Sequence, residues 1–289
     1  MSITFLSAGI FALTLVGGLA PRRFASRLSE QRLHDVTGWA SGLLLGSALL
    51  VVIPEGFDVA AGGGGPEFTD RPAVLGSAVL IGFLVMLLLE GLGVAHAVHE
   101  EHHDHEEGHG HGHIHHPTST GILAIGLSIH AVADGLAIGA AAVSGDETFS
   151  LLVALAVVLH RIPAAFSLGL FSAHETKNPR ASMAGVIGFA VATPIAILIS
   201  YVLLDGASDR LVALTLLFSA GTFVYVATVD TLPEIHNPET GRRSVMNVML
   251  GAGLFAAAFL AADAAGWLEH GHGDQIEHHH ELEEDPHDE

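Results

Sequence analysis

Apolar residues in this chain come in eight blocks of about 20, at roughly 2–20, 37–58, 72–97, 118–143, 148–172, 181–204, 210–235 and 244–268. A helix needs about 20 apolar residues to cross the hydrocarbon core of a bilayer. Within lipid, only helices and closed barrels satisfy their own backbone groups. Eight helix-length blocks therefore predict an all-α membrane protein with eight transmembrane helices. Half of the 289 residues are hydrophobic and 15% are charged, against about 25% charged in a soluble domain. A disordered chain, a nucleic-acid binder and a simple soluble enzyme are excluded. So are disulfides and thiolate metal sites, because there is no cysteine.

The basic residues orient the spans. Arg22, Arg23, Arg27 and Arg32 follow the first block, Lys177 and Arg180 the fifth, and Arg242 and Arg243 the seventh. Only Arg71 and Arg210 lie on the other side. Positive residues stay in the cytosol, so both termini are predicted outside. The first block has no basic n-region and no A-x-A site, and reads as a span rather than a signal peptide. The acidic, lysine-poor composition (Asp+Glu 31, Lys+Arg 11) suggests a high-salt habitat. For a prokaryote, the expected location is the cell (plasma) membrane.

Histidine is the anomaly, at 21 residues. Ten fall in the predicted cytosolic loop after the third block: His96, His99, His102, His103, His105, His109, His111, His113, His115 and His116. Six more lie in an acidic tail from Glu269. Imidazole is neutral and ligating near pH 7, and protons compete with metal below about pH 6. Both tracts read as low-affinity metal capture. They are expected to be disordered, since neither can bury a core. The predicted organisation is one eight-span membrane domain over 1–268, including the His-rich loop at 96–117, and an extracytoplasmic tail over 269–289.

Ionisable residues at membrane depth are costly and need a reason. His130 and Asp134 are four residues apart in the fourth block, so they share one helix face. An imidazole and a carboxylate so placed suit a divalent transition metal, or a hydrogen bond that staples helices. His160, followed by Arg161 and Pro163 in the fifth block, is a third candidate ligand from a neighbouring helix. Gly135 and Gly139 allow another helix to come close. Glu55 after Pro54, Glu90, Asp230 and Glu234 line a cation path or cap helix ends. His174 and His236 are candidate exit-side ligands at the predicted cytosolic ends of blocks five and seven. A fixed cation at Arg161 repels a second metal, so a close pair of divalent ions is not expected. Its expected acidic partner is Glu90 or Asp230.

The stretch His130-Ala-Val-Ala-Asp134-Gly135, followed by His160-Arg-Ile-Pro163, resembles the paired fourth- and fifth-helix motifs of the ZIP family, the Zrt/Irt-like zinc–iron permeases. Ser219 through Glu234 looks like that family's seventh helix, and Gly42 through Glu55 like its second. The variants look closest to the branch whose mammalian member is the ninth ZIP. The resemblance implies import of zinc, or of a similar divalent ion such as iron, manganese or cadmium, into the cytosol. It implies a bundle with spans 1–3 and 6–8 related by an inverted repeat around spans 4–5, elevator-like movement and a homodimer. It carries over His130, Asp134 and His160 as ligands of one site. The family's second-site positions are Ala131 and Arg161 here, and the acid four residues after the second His is Ala164. A second site is therefore not expected.

Two other readings compete. His99-Glu100-Glu101-His102 with His103 contains the H-E-x-x-H pattern of a zinc metalloprotease, and Leu204-Asp205-Gly206 is similar to an L-D-G element of intramembrane proteases. In so His- and Glu-rich a tract, however, that pattern arises easily by chance. A metal sensor without flux is the third reading. No Walker A motif is present, since the only lysine, Lys177, is followed by Asn178. An ion gradient or the membrane potential would drive transport. The potential supplies roughly 4.6 kcal/mol for a doubly charged ion at 100 mV.

Overall fold

The structure, a computed structural model, describes residues 2–21, 30–63, 72–92, 120–144, 147–175 and 179–229, positions 235 and 238, and residues 240–266. The His-rich loop and the acidic tail lie outside these residues. Every regular element among those described is helical. In chain order, α1 is Ile3–Leu19. Helix α2 runs as Glu30–Ser47, a π-helical turn at Ala48–Val52, and Ile53–Gly63. Then come α3 Pro72–Gly91, α4 Thr120–Val143, α5 Glu147–Glu175, α6 Pro179–Leu204, α7 Asp209–Val229 and α8 Gly241–Ala264.

Among the described residues, seven helices are long and apolar enough to cross a membrane. Helix α1 is apolar but has only 17 residues, about 26 Å at 1.5 Å per residue. The second span, expected to end near position 58, runs on to Gly63 with Pro54 inside it. Proline removes a backbone donor and crowds the preceding turn. The π-turn immediately before it shifts the hydrogen-bond register, letting the helix pass through Pro54. Pro163 and Pro194 likewise sit inside α5 and α6 without ending them.

Glycine decides which helices touch backbone to backbone. A Cβ on Gly82 of α3 would stand 2.0 Å from the Phe218 carbonyl oxygen of α7, and one on Gly221 of α7 would stand 2.0 Å from that of Val79. Gly42 and Gly251 make the same reciprocal contact between α2 and α8, each 2.2 Å from a backbone oxygen of the other helix. Gly169 of α5 meets Gly18 of α1 at 2.0 Å, and Gly135 and Gly139 of α4 meet Ala196 and Ser200 of α6 at 2.4 and 2.6 Å. The small residues of the fourth block thus admit α6.

All such approaches among the described residues fall within two sets of four helices. One set is α1, α4, α5 and α6; the other is α2, α3, α7 and α8. Between the sets the packing is by apolar side chains, among them Leu44 and Val52 of α2, Ile138 of α4, Val153 of α5, and Leu216 and Phe223 of α7. Helices α3 and α8 bury least of their surface. Their exposed Leu80, Leu84, Leu88, Met249 and Leu254 give a lipid-facing periphery.

Candidate metal centre

His130 and Asp134 project from one face of α4, one helical turn apart, and His160 faces them from α5. All three are buried. The Nε2 atoms of the two histidines are 3.4 Å apart. Asp134 Oδ1 lies 3.5 Å from His130 Nε2 and 3.6 Å from His160 Nε2. These three atoms form a nearly equilateral triangle. Tetrahedral zinc with bonds of about 2.0–2.2 Å sets neighbouring ligand atoms roughly 3.3–3.6 Å apart. Among the described residues this is the one group of three His, Cys, Asp or Glu side chains with that convergence.

The surroundings prepare these atoms unequally. His160 Nδ1 lies 3.0 Å from the Ala156 carbonyl oxygen, to which it donates. That bond fixes the tautomer and leaves the Nε2 lone pair facing the centre. Asp134 Oδ1 is buried with no hydrogen-bond donor, and His130 Nδ1 is also buried and unpaired. A bare buried carboxylate oxygen is expensive, and here it points at two imidazoles. Such an oxygen is a vacant acceptor for a cation. Phe223 of α7 closes one side, its ring 6.2 Å from that of His160.

Arg161 departs from the expected pairing. Among the described residues its acidic partner is not Glu90 but the candidate ligand itself: its Nη1 donates to Asp134 Oδ2 at 2.9 Å. Nη2 donates to the Phe189 carbonyl oxygen at 2.7 Å and Nε to Thr14 Oγ1 at 2.9 Å. The guanidinium carbon stacks 4.2 Å above the Phe189 ring. Glu90 instead accepts a hydrogen bond from Tyr225, joining α3 to α7.

Of the other candidates, Glu55 and Glu90 are described and neither joins this cluster. Glu55 is half-buried on α2. His174 lies in α5, its side chain outside the described residues, as are Asp230, Glu234, His236 and the loop residues His99, His102, His103, His105, His109, His111, His113, His115 and His116. The Leu204-Asp205-Gly206 element is the turn that ends α6, with Gly206 at φ 72°. Thr14, Phe189 and Thr193 carry no sequence signal, yet all bear on the centre. Thr193 Oγ1 donates to the Ala131 carbonyl oxygen at 2.7 Å, between His130 and Asp134.

Known proteins are similar to this chain over most of its length. The family model described as ZIP Zinc transporter matches residues 93–259. The zinc transporter ZIP9 of Micropogonias undulatus is 32% identical over 81% of this chain and 85% of its own length. That of Xenopus tropicalis is 32% identical over 83% and 89%. The zinc transporter ZIP1 of Danio rerio is 26% identical over 86% and 94%. The chain therefore belongs to the ZIP family and stands close to its ZIP9 members.

Proposed function

We propose that this protein carries zinc, or a similar divalent transition-metal ion, across the membrane into the cytosol, holding one ion at a time between His130, Asp134 and His160. The observation that carries this reading is the triangle of His130 Nε2, His160 Nε2 and Asp134 Oδ1, zinc-sized and with its carboxylate oxygen unpaired. Three protein ligands leave a coordination position open, which suits an ion that must enter and leave. The relatives are named as zinc transporters, which favours transport over the protease reading.

The proposed movement is elevator-like. The glycine contacts bind α1, α4, α5 and α6 to one another, and the ligands belong to that set. The side-chain interface with the other four helices is the surface along which the set slides. An inverted repeat is supported by the packing pairs. Exchanging helices 1–3 with 6–8 converts the α2–α8 contact into the α7–α3 contact, and both are welded by reciprocal glycines. Glu55, Glu90, Asp230, Glu234, His174 and His236 are proposed to line the path, and the His-rich loop to buffer incoming metal. Two copies pair, with both termini outside the cell membrane.

Zinc uptake into proteoliposomes, without ATP and with a trapped indicator, tests the reading. Saturable uptake by the wild type, lost in His130→Ala and in Asp134→Ala, is the expected result. Wild-type uptake in both variants would remove the site from the path. Binding through His130 without flux would make the protein a sensor.

A further inference from the structure

Arg161 is a charged side chain only 1% exposed in a membrane bundle, and the transport reading gives it no task. Its hydrogen bonds reach α1 at Thr14, α4 at Asp134 and α6 at Phe189, while the residue itself belongs to α5. Every helix of the ligand-bearing set is thus tied to one guanidinium, and none of these bonds crosses to the other set. Thr14 is held in turn, its hydroxyl donating to the Ile10 carbonyl oxygen at 2.7 Å. The cation is locked relative to the ligands and must travel wherever they travel.

The two oxygens of Asp134 are consequently different. Oδ2 is saturated by Arg161 and Oδ1 is bare. A carboxylate with one oxygen committed to a planar guanidinium offers an incoming ion a single donor atom. Charge follows the same division. The Asp134–Arg161 pair sums to zero and the two imidazoles are neutral when ligating, so the ion meets a site of dipoles and lone pairs with no net negative charge. In a low-dielectric interior a nearby unit charge has a large effect on a divalent ion.

We propose that Arg161 is a positioning residue that acts through Asp134 as a built-in counter-cation. It keeps the carboxylate monodentate and sets the affinity low enough for the ion to be released. The proposal rests on the transport site described above and goes beyond it in assigning the affinity to a side chain that does not touch the metal. A merely structural bolt between helices would leave the affinity alone.

Zinc titration calorimetry on the full-length protein in detergent micelles separates these roles. The binding component that disappears in His130→Ala reports the centre, free of the histidine tracts. Arg161→Gln should tighten the Kd of that component by at least about tenfold. In proteoliposomes it should lower the KM for zinc together with the maximal rate, because release slows. Arg161→Lys, which keeps the charge, should restore the Kd to within a few-fold of wild type. Thr14→Val should lower the thermal midpoint without moving the Kd. An unchanged Kd in Arg161→Gln, or equal tightening in Arg161→Lys and Arg161→Gln, would overturn the proposal while leaving the site standing. Identical binding by wild type and His130→Ala would overturn both. If Arg161→Gln does not fold, a zinc-loaded wild-type crystal structure decides. Oδ2 still on Arg161 with Oδ1 alone on the metal supports the proposal, and chelation by both oxygens refutes it.

Discussion

At the scale of single residues, the centre depends on who partners each polar atom. The i, i+4 relation of His130 and Asp134 was legible because helical periodicity fixes which residues share a face. His160 was legible through its motif. The bond from Arg161 to Asp134 was not, because the choice of acid is made by how helices pack, which spacing along the chain does not encode. Thr193 illustrates the same limit. It reads as one more residue of an apolar block, yet its hydroxyl reaches the backbone between two ligands at 2.7 Å. Interhelical hydrogen bonds in membranes contribute about 0.6 kcal/mol on average and up to about 1.7. Thr193→Val should therefore lower stability by that order, seen as a small fall in the thermal midpoint in micelles. Zinc binding at the His130-dependent component should weaken as Ala131 loses its tie. A midpoint and Kd both equal to wild type would show that the bond contributes nothing.

At the scale of helices, the eight apolar blocks located the elements well, since helix length and lipid thickness leave few alternatives. The end of α2 was less legible: the block was expected to stop near position 58, but the helix passes Pro54 behind the π-turn at Ala48–Val52 and reaches Gly63. The pairing of helices was only partly legible: Gly135 and Gly139 announced a close neighbour without identifying α6. Packing density makes these contacts intolerant of a methyl group. Gly221→Ala places a Cβ 2.0 Å from the Val79 carbonyl oxygen, and overpacking of this kind costs about 1–3 kcal/mol. Gly188→Ala is the control, with nothing within 4 Å of the added atom. Thermal unfolding in micelles should show a clear loss for the first and none for the second. Equal behaviour would contradict the helix pairing.

For the whole molecule, the proposed movement makes α1, α4, α5 and α6 the carrying set and α2, α3, α7 and α8 the supporting set. Cross-links within the carrying set should be tolerated. A Cβ on Gly17 of α1 would lie 3.4 Å from Ala165 Cβ of α5, close to the roughly 3.5–4.5 Å that a disulfide spans. The natural chain has no cysteine to interfere. Oxidised Gly17→Cys/Ala165→Cys should keep zinc uptake within a few-fold of its reduced form. Uptake abolished by oxidation and restored by reductant would show that α1 and α5 move relative to each other. Deleting residues 101–115, which remove most of the loop histidines, should also leave initial uptake within a few-fold. Complete loss in a folded deletion protein would place the loop on the path itself.

The proposed function stands on one divalent ion held by two imidazoles and one carboxylate oxygen. The most direct measurement is an anomalous difference map at the zinc edge from crystals of the zinc-loaded protein. The expected result, within the membrane bundle, is a single peak between α4 and α5, about 2.0–2.2 Å from His130 Nε2, His160 Nε2 and Asp134 Oδ1. A zinc peak elsewhere in the bundle with none at this triangle, or two peaks bridged by Asp134, would contradict it.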